Sequence, residues 1–195
     1  MAKTRAVFVD RDGVINELVY FPDHGIIDTP FTVEQLKLMP GASLAIKKLH
    51  SAGYQVVIIS NQPGIAKGHL SQATFDKIRE KMHAELAKDG ATVDDEYYCF
   101  HHPEAIIPRF RTSCDCRKPK PGMLLKAAHE MGIDLSLSWF IGDNLSDIKA
   151  GKNAGCRTIL IGKMKCELCD LMDKEGIKPD FIHTSLLEAA QFIVK

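Results

Sequence analysis

The chain has 195 residues, 45% of them hydrophobic, and its 25 basic and 25 acidic residues give a formal net charge of zero. This length is enough to bury a core, so we expect one domain over residues 1–195. Balanced charge disfavours nucleic-acid or membrane partners, and without an apolar run of about 20 residues or a signal peptide we expect a soluble, cytoplasmic monomer.

Short apolar runs rich in β-branched and aromatic residues predict buried strands at Ala6–Val9, Tyr54–Ser60, Tyr97–Phe100, Trp139–Gly142 and Arg157–Gly162. Amphipathic segments with capping residues predict helices within 41–53, 71–90, 121–132, 146–155 and 185–194. This alternation predicts an α/β fold, a Rossmann-like doubly wound parallel sheet with helices on both faces. The two long segments without a clear pattern, 13–40 and 101–120, leave no room for a separate cap domain, and such loops often carry function.

Two carboxylates follow the first predicted strand. Asp10 lies at its end, Asp12 comes two residues later, and Gly13 allows the chain to turn. In a doubly wound sheet the carboxyl ends of the strands form the ligand crevice. One carboxylate there could attack phosphorus to give an aspartyl-phosphate, and the other could donate a proton and later activate water. Taken alone, the pattern is equally compatible with a polar strand exit.

Further polar residues follow other predicted elements. Ser60 and Asn61 end the second strand, where a hydroxyl and an amide could hydrogen-bond a phosphoryl group. Asp143 follows the strand at 139–142, and Asp10 and Asp143 together suit Mg²⁺, which prefers oxygen ligands. Lys118 would add positive charge for the phosphoryl oxygens. The combination favours a Mg²⁺-dependent phosphomonoesterase.

A second constellation lies in the zinc loop, about 99–116, whose candidate ligands are Cys99, His101, Cys114 and Cys116. Three thiolates and one imidazole make a closed tetrahedral set for structural Zn²⁺. His102 is a rival ligand, and free thiols in a flexible loop are the alternative. A metal in this loop would hold Arg117 and Lys118 in place. Cys166 and Cys169 lack a second pair at a suitable spacing and are predicted to be ordinary thiols on a helical segment.

The motifs DRDGVIN, SNQPGIAKG, CDCRKPKPGM and GDNLSDIKAG together resemble the haloacid dehalogenase superfamily of phosphotransferases. More narrowly, they are similar to the heptose bisphosphate phosphatases and to the histidinol-phosphate phosphatases. The resemblance covers residues 7–155. It implies a hydrolase of carbohydrate metabolism that needs Mg²⁺ and Zn²⁺ and acts on a small phosphorylated metabolite. A heptose bisphosphate is the expected substrate, with histidinol phosphate and a nucleic-acid 3′-phosphate as alternatives.

The resemblance also implies roles for single residues. It makes Asp10 the nucleophile and Asp12 the general acid and base, and it assigns Mg²⁺ to Asp10, Asp143 and the backbone carbonyl of Asp12. It assigns the phosphoryl group to Ser60 and Lys118, places Asn61 beside them, assigns the rest of the substrate to Arg117, and makes His101 rather than His102 the fourth zinc ligand. Asn144 is a further candidate substrate contact, together with Asn61 and Arg117.

Two features of this chain depart from the heptose enzymes. Asn144 stands where those enzymes often have lysine, and loop 17–30 matches only loosely the segment that recognises their sugar. A non-catalytic zinc module that binds a phosphorylated ligand is the alternative from another class.

Overall fold

A computed structural model describes residues 4–162 and 166–195 and is built around a sheet of six parallel strands. In chain order the strands are β1 (Ala6–Val9), β2 (Val19–Phe21), β3 (Ile26–Asp28), β4 (Gln55–Asn61), β5 (Asp95–Cys99), β6 (Trp139–Gly142), β7 (Arg157–Ile161) and β8 (Phe181–His183). The six-stranded sheet has the order β5-β4-β1-β6-β7-β8, and β2 and β3 form a separate antiparallel hairpin. This order places β1 between β4 and β6.

Within the described residues, six α-helices cover the sheet: α1 (Ala42–Ser51), α2 (Gln72–Lys88), α3 (Gly122–Met131), α4 (Leu145–Ala154), α5 (Cys166–Glu175) and α6 (Leu186–Ile193). Short 3-10 helices span Pro108–Phe110 and Leu135–Leu137. No helix in the described ranges is both long and apolar enough to cross a membrane.

Both faces of the central strand are buried. Val7 and Val9 pack in a core with residues of α1, α2 and α6, whereas Ala6 and Phe8 pack in a second core with residues of α3 and α4. Successive residues of a strand point to opposite faces, and a parallel sheet needs both faces covered. The predicted doubly wound α/β fold is therefore confirmed. The single domain over 1–195 stays a prediction.

Several elements differ from their predicted bounds. The strand expected at Tyr97–Phe100 starts at Asp95, because polar residues at the sheet edge still pair their backbone with β4. The hairpin β2–β3 and β8 are absent from the sequence prediction, since three-residue strands are too short to show periodicity. Helix α4 starts at Leu145, one residue early, behind the N-cap Asn144.

Candidate active site

The carboxyl ends of β1, β4 and β6 meet at one edge of the sheet. Val9 of β1 is in register with Ile58 of β4 and Ile141 of β6, and the Asp10 backbone N–H donates to the Ile141 carbonyl at 2.9 Å. The strand ends therefore bring Asp10, Ser60 and Asp143 to one edge of the sheet, as predicted. All parallel strands share this polarity, which explains why residues distant in sequence meet here.

Lys118 reaches this edge from the long loop that follows β5. Its Nζ lies 2.9 Å from Asp10 Oδ1 and 2.7 Å from Asp147 Oδ1, and it donates to the Ile59 carbonyl at 3.0 Å. The side chain is 2% exposed. Burial opposes its charge, but the adjacent carboxylates of Asp10 and Asp147 outweigh burial and raise the Lys118 pKa. The ammonium is thus fixed and charged beside the proposed nucleophile.

Asn61 holds the backbone of Lys118. Its Nδ2 donates to the Lys118 carbonyl at 3.1 Å, and its Oδ1 accepts from the Lys118 N–H at 3.0 Å. The amide thus links the end of β4 to the loop that carries the lysine. The Asn144 side chain accepts from the Ser146 N–H at the start of α4. The substrate contacts predicted for Asn61 and Asn144 stay predictions.

Three carboxylates, that of Asp10 among them, lie close together at this edge of the sheet. Asp10, Asp143 and Asp147 each offer an oxygen within 4.8 Å of the others. Burial, followed by repulsion from Asp10 and Asp147, raises the pKa of Asp143 to about 8. Burial also raises the pKa of Asp10 to about 6, although Lys118 opposes the shift. Clustered, buried oxygen donors beside a single cation fit Mg²⁺. Sequence reasoning had left Asp147 without a role.

Gly13 fits closely against this cluster. Its φ is +77°, and a Cβ at this position would lie 2.1 Å from Asp143 Oδ2. Only glycine combines this backbone conformation with such a close approach. The turn after β1 therefore leaves the Asp143 carboxylate just enough space.

The Asp12 carboxylate is buried beside the cluster within a set of hydrogen-bond donors. Oδ1 accepts from Arg11 Nη2 at 3.0 Å, from Asn16 Nδ2 at 2.9 Å and from Thr29 Oγ1 at 2.8 Å, while Oδ2 accepts from Gln62 Nε2. Burial opposes ionisation, but Arg11 and these hydrogen bonds outweigh it and lower the Asp12 pKa. Sequence reasoning missed these four donors, because only the folded loops bring them together.

The predicted zinc ligands form one cluster. Cys99 Sγ lies 3.7 Å from Cys114 Sγ and 3.1 Å from Cys116 Sγ, and His101 Nδ1 lies 3.4 Å from Cys116 Sγ. The four ligand atoms lie within 4.8 Å of one another, and three thiols with one imidazole fit tetrahedral Zn²⁺. His102 is outside this cluster, because its Nδ1 accepts from the Glu104 N–H at 3.1 Å.

The zinc-loop cluster is connected to the basic pair beside it. Arg117 Nη1 donates to the His101 carbonyl at 3.0 Å, so the candidate metal ligand and the arginine position each other. Cys169 is a free thiol on α5 outside the cluster, in agreement with the sequence. The side chain of Cys166 lies outside the described residues.

Comparisons with known proteins agree with this geometry. Residues 115–189 match the HAD-hydrolase-like family. A D-glycero-beta-D-manno-heptose-1,7-bisphosphate 7-phosphatase of Rhodopseudomonas palustris is 43% identical over 150 residues, which are 77% of this chain and 79% of the relative. The protein of the same name from Escherichia coli is 39% identical over 159 residues, 81% of this chain and 79% of the relative.

A solved structure extends the similarity to nearly the whole chain. The D,D-heptose 1,7-bisphosphate phosphatase from B. bronchiseptica, complexed with magnesium and phosphate, superimposes with a TM-score of 0.79. The two proteins are 29% identical, and the alignment covers 98% of each chain.

Proposed function

The chain belongs to the D-glycero-beta-D-manno-heptose-1,7-bisphosphate 7-phosphatase family of HAD-like hydrolases, and we propose that it removes the 7-phosphate of this heptose bisphosphate. Membership of this family makes it a phosphoric monoester hydrolase. The observation that carries the proposal is the buried Lys118, 2.9 Å from Asp10 Oδ1, beside the carboxylates of Asp143 and Asp147.

The proposed reaction has two steps at phosphorus. In the first, an Asp10 carboxylate oxygen bonds to phosphorus as the bond to the sugar oxygen breaks, and a proton from Asp12 converts the leaving alkoxide into an alcohol. In the second, Asp12 takes a proton from water, whose oxygen bonds to phosphorus and releases inorganic phosphate and the Asp10 carboxylate. The donors around Asp12 favour its carboxylate form, which the second step uses, so Asp12 must take up a proton from solvent when the substrate binds before it can act in the first step.

Ser60 and Lys118 would hold the phosphoryl oxygens during both steps. The Lys118 ammonium is already fixed in a buried site, so it offers preorganised charge where the transition state develops negative charge. Bound Mg²⁺ would supply further charge neutralisation there. Its proposed ligands are Asp10, Asp143 and the Asp12 carbonyl, and Asp147 is close enough to contribute to the same site.

A structural Zn²⁺ completes the proposal. Cys99, His101, Cys114 and Cys116 would hold it, and the metal would make the loop before Lys118 rigid. Arg117, fixed through the His101 carbonyl, would contact the remainder of the substrate. The protein is proposed to act as a cytoplasmic monomer.

Phosphate release from a substrate panel tests the proposal. We expect the highest kcat/KM for D-glycero-β-D-manno-heptose 1,7-bisphosphate, with one phosphate released per molecule and the 1-phosphate retained. Histidinol phosphate and a 3′-phosphorylated oligonucleotide are the comparison substrates. Preference for either would overturn the sugar assignment and leave the phosphatase assignment standing, whereas no phosphate release from any of them would favour a non-catalytic zinc module.

A further inference from the structure

Arg11 stands between the two aspartates that follow β1, and its charged side chain is only 1% exposed. Nη2 of its guanidinium donates to Asp12 Oδ1 at 3.0 Å and Oδ2 at 3.1 Å, and Nε donates to Oδ1 at 3.2 Å. The same Nη2 reaches Thr29 Oγ1 and, at 3.0 Å, Gln62 Oε1. The guanidinium therefore bonds Asp12 itself and two residues, Thr29 and Gln62, that also bond Asp12.

Gln62 extends this network to the phosphoryl end of the site. Its Nε2 donates to Asp12 Oδ2 and, at 3.1 Å, to Ser60 Oγ, while its Oε1 accepts from Arg11. Thr29 Oγ1 donates to Asp12 Oδ1 at 2.8 Å. Arg11, Thr29 and Gln62 thus fix the Asp12 carboxylate relative to the residue proposed to hold the phosphoryl group.

Stability is a poor explanation for this arrangement. Burying an ion pair often contributes no more than a hydrophobic pair of similar volume. In addition, Nη1 of Arg11 is buried without a hydrogen-bond partner among the described residues, and an unsatisfied buried donor costs about 1–3 kcal/mol. A buried group that lowers stability at a candidate active site is expected to serve function, here through the geometry that the arginine imposes on Asp12.

We propose that Arg11 is a positioning residue that acts on catalysis through Asp12, by holding both carboxylate oxygens in the orientation that proton transfer requires. The inference rests on the role of Asp12 in the proposed function. A lysine would keep the positive charge and lose the planar fork that contacts both oxygens. The Arg11→Lys variant therefore separates charge from geometry.

A double-mutant cycle on the zinc- and magnesium-loaded enzyme tests this proposal, with kcat, KM and Tm as readouts. A positioned acid or base contributes about 10²–10⁴-fold to rate, so we expect Arg11→Lys to lower kcat about tenfold or more while KM stays within about twofold. In an Asp12→Asn background the same change should lower kcat no further, because its target is gone. Arg5→Lys is the matched control, because Arg5 precedes β1 at the end opposite the site and donates to the Ala52 carbonyl; it should leave kcat unchanged.

Each other outcome overturns the inference in a recognisable way. Unchanged kcat in Arg11→Lys, or an equal loss in both backgrounds, would show that Arg11 does not act through Asp12, with the proposed function intact. Full activity of Asp12→Asn alone would overturn the acid–base role together with this inference. If Arg11→Lys does not fold, Thr29→Val takes its place in the cycle, since it removes the hydroxyl that bridges Arg11 and Asp12.

Discussion

Nζ of Lys118 lies 2.9 Å from Oδ1 of Asp10 and 2.7 Å from Oδ1 of Asp147, so one buried ammonium serves two carboxylates. We expect Lys118→Met to lower kcat about 10²–10³-fold, the usual effect of losing one preorganised group. It should also lower Tm, because Asp10 and Asp147 lose their counter-charge. Lys120→Met is the control, since that exposed lysine pairs with exposed Asp115. Wild-type turnover in the Lys118 variant would contradict the role of the ammonium.

The contact between Gly13 and Asp143 gives a second expectation. A Cβ at Gly13 would lie 2.1 Å from Asp143 Oδ2, whereas one at Gly25 would meet nothing within 4 Å. Both glycines have positive φ, so alanine strains the backbone by about 1–2 kcal/mol at either position. Only Gly13→Ala should abolish phosphate release and the thermal stabilisation by Mg²⁺. Equal effects of the two variants on Mg²⁺ binding would argue against this packing.

The zinc loop can be tested through its metal content. We expect Cys114→Ser to lose most of the bound zinc and to lower Tm and activity, because the loop that precedes Lys118 is no longer closed. Cys169→Ser, a thiol outside the cluster, should keep one zinc per chain. Metal analysis by mass spectrometry provides the measurement. Unchanged zinc content in the Cys114 variant would exclude zinc from this site.

Acid stability depends on Glu96 of β5, which is not part of the cluster of Asp10, Asp143 and Asp147. Burial opposes its ionisation, but hydrogen bonds from His83, Tyr98 and Arg79 outweigh burial and lower its pKa to about 2. The folded state thus favours the ionised form of Glu96. The resulting stabilisation is fully present above pH 4.5, the ordinary pKa of glutamate, and disappears as the pH falls towards 2.

Glu96→Gln should therefore lower the free energy of unfolding by about 2–3 kcal/mol at pH 7 and by progressively less below pH 4.5. Denaturant unfolding at several pH values measures this. Glu85→Gln, whose exposed pair with Lys88 is worth about 0.5 kcal/mol or less, is the control. A pH-independent loss in Glu96→Gln would contradict the assigned ionisation.

The sequence alone predicts those site residues whose position depends on the direction of the parallel strands. Ser60 ends a predicted strand, and Asp10 and Asp143 each directly follow one; parallel strands bring their carboxyl ends to one edge of the sheet. The spacing of the zinc ligands likewise identified the cluster, although only the folded loop separates His101 from His102.

The donors around Asp12 could not be predicted in this way. Thr29 follows the hairpin β2–β3, whose strands are too short to show a period, and its contact with Asp12 depends on how that loop folds back. Arg11 carries a charge that normally favours the surface, and its burial follows from the position of Asp12 and Gln62. Such contacts depend on how loops distant in sequence pack against one another, which a single sequence does not show.

Trapping the covalent intermediate is the sharpest test of Asp10 as the nucleophile. Borohydride reduces an aspartyl-phosphate to homoserine, which peptide mass spectrometry locates in the chain. During turnover of the heptose bisphosphate we expect homoserine at position 10, and none there without substrate. The Asp10→Asn variant should keep its zinc and its Tm and release no phosphate. Homoserine at another aspartate, or wild-type phosphate release by Asp10→Asn, would contradict the assignment of Asp10 as the nucleophile.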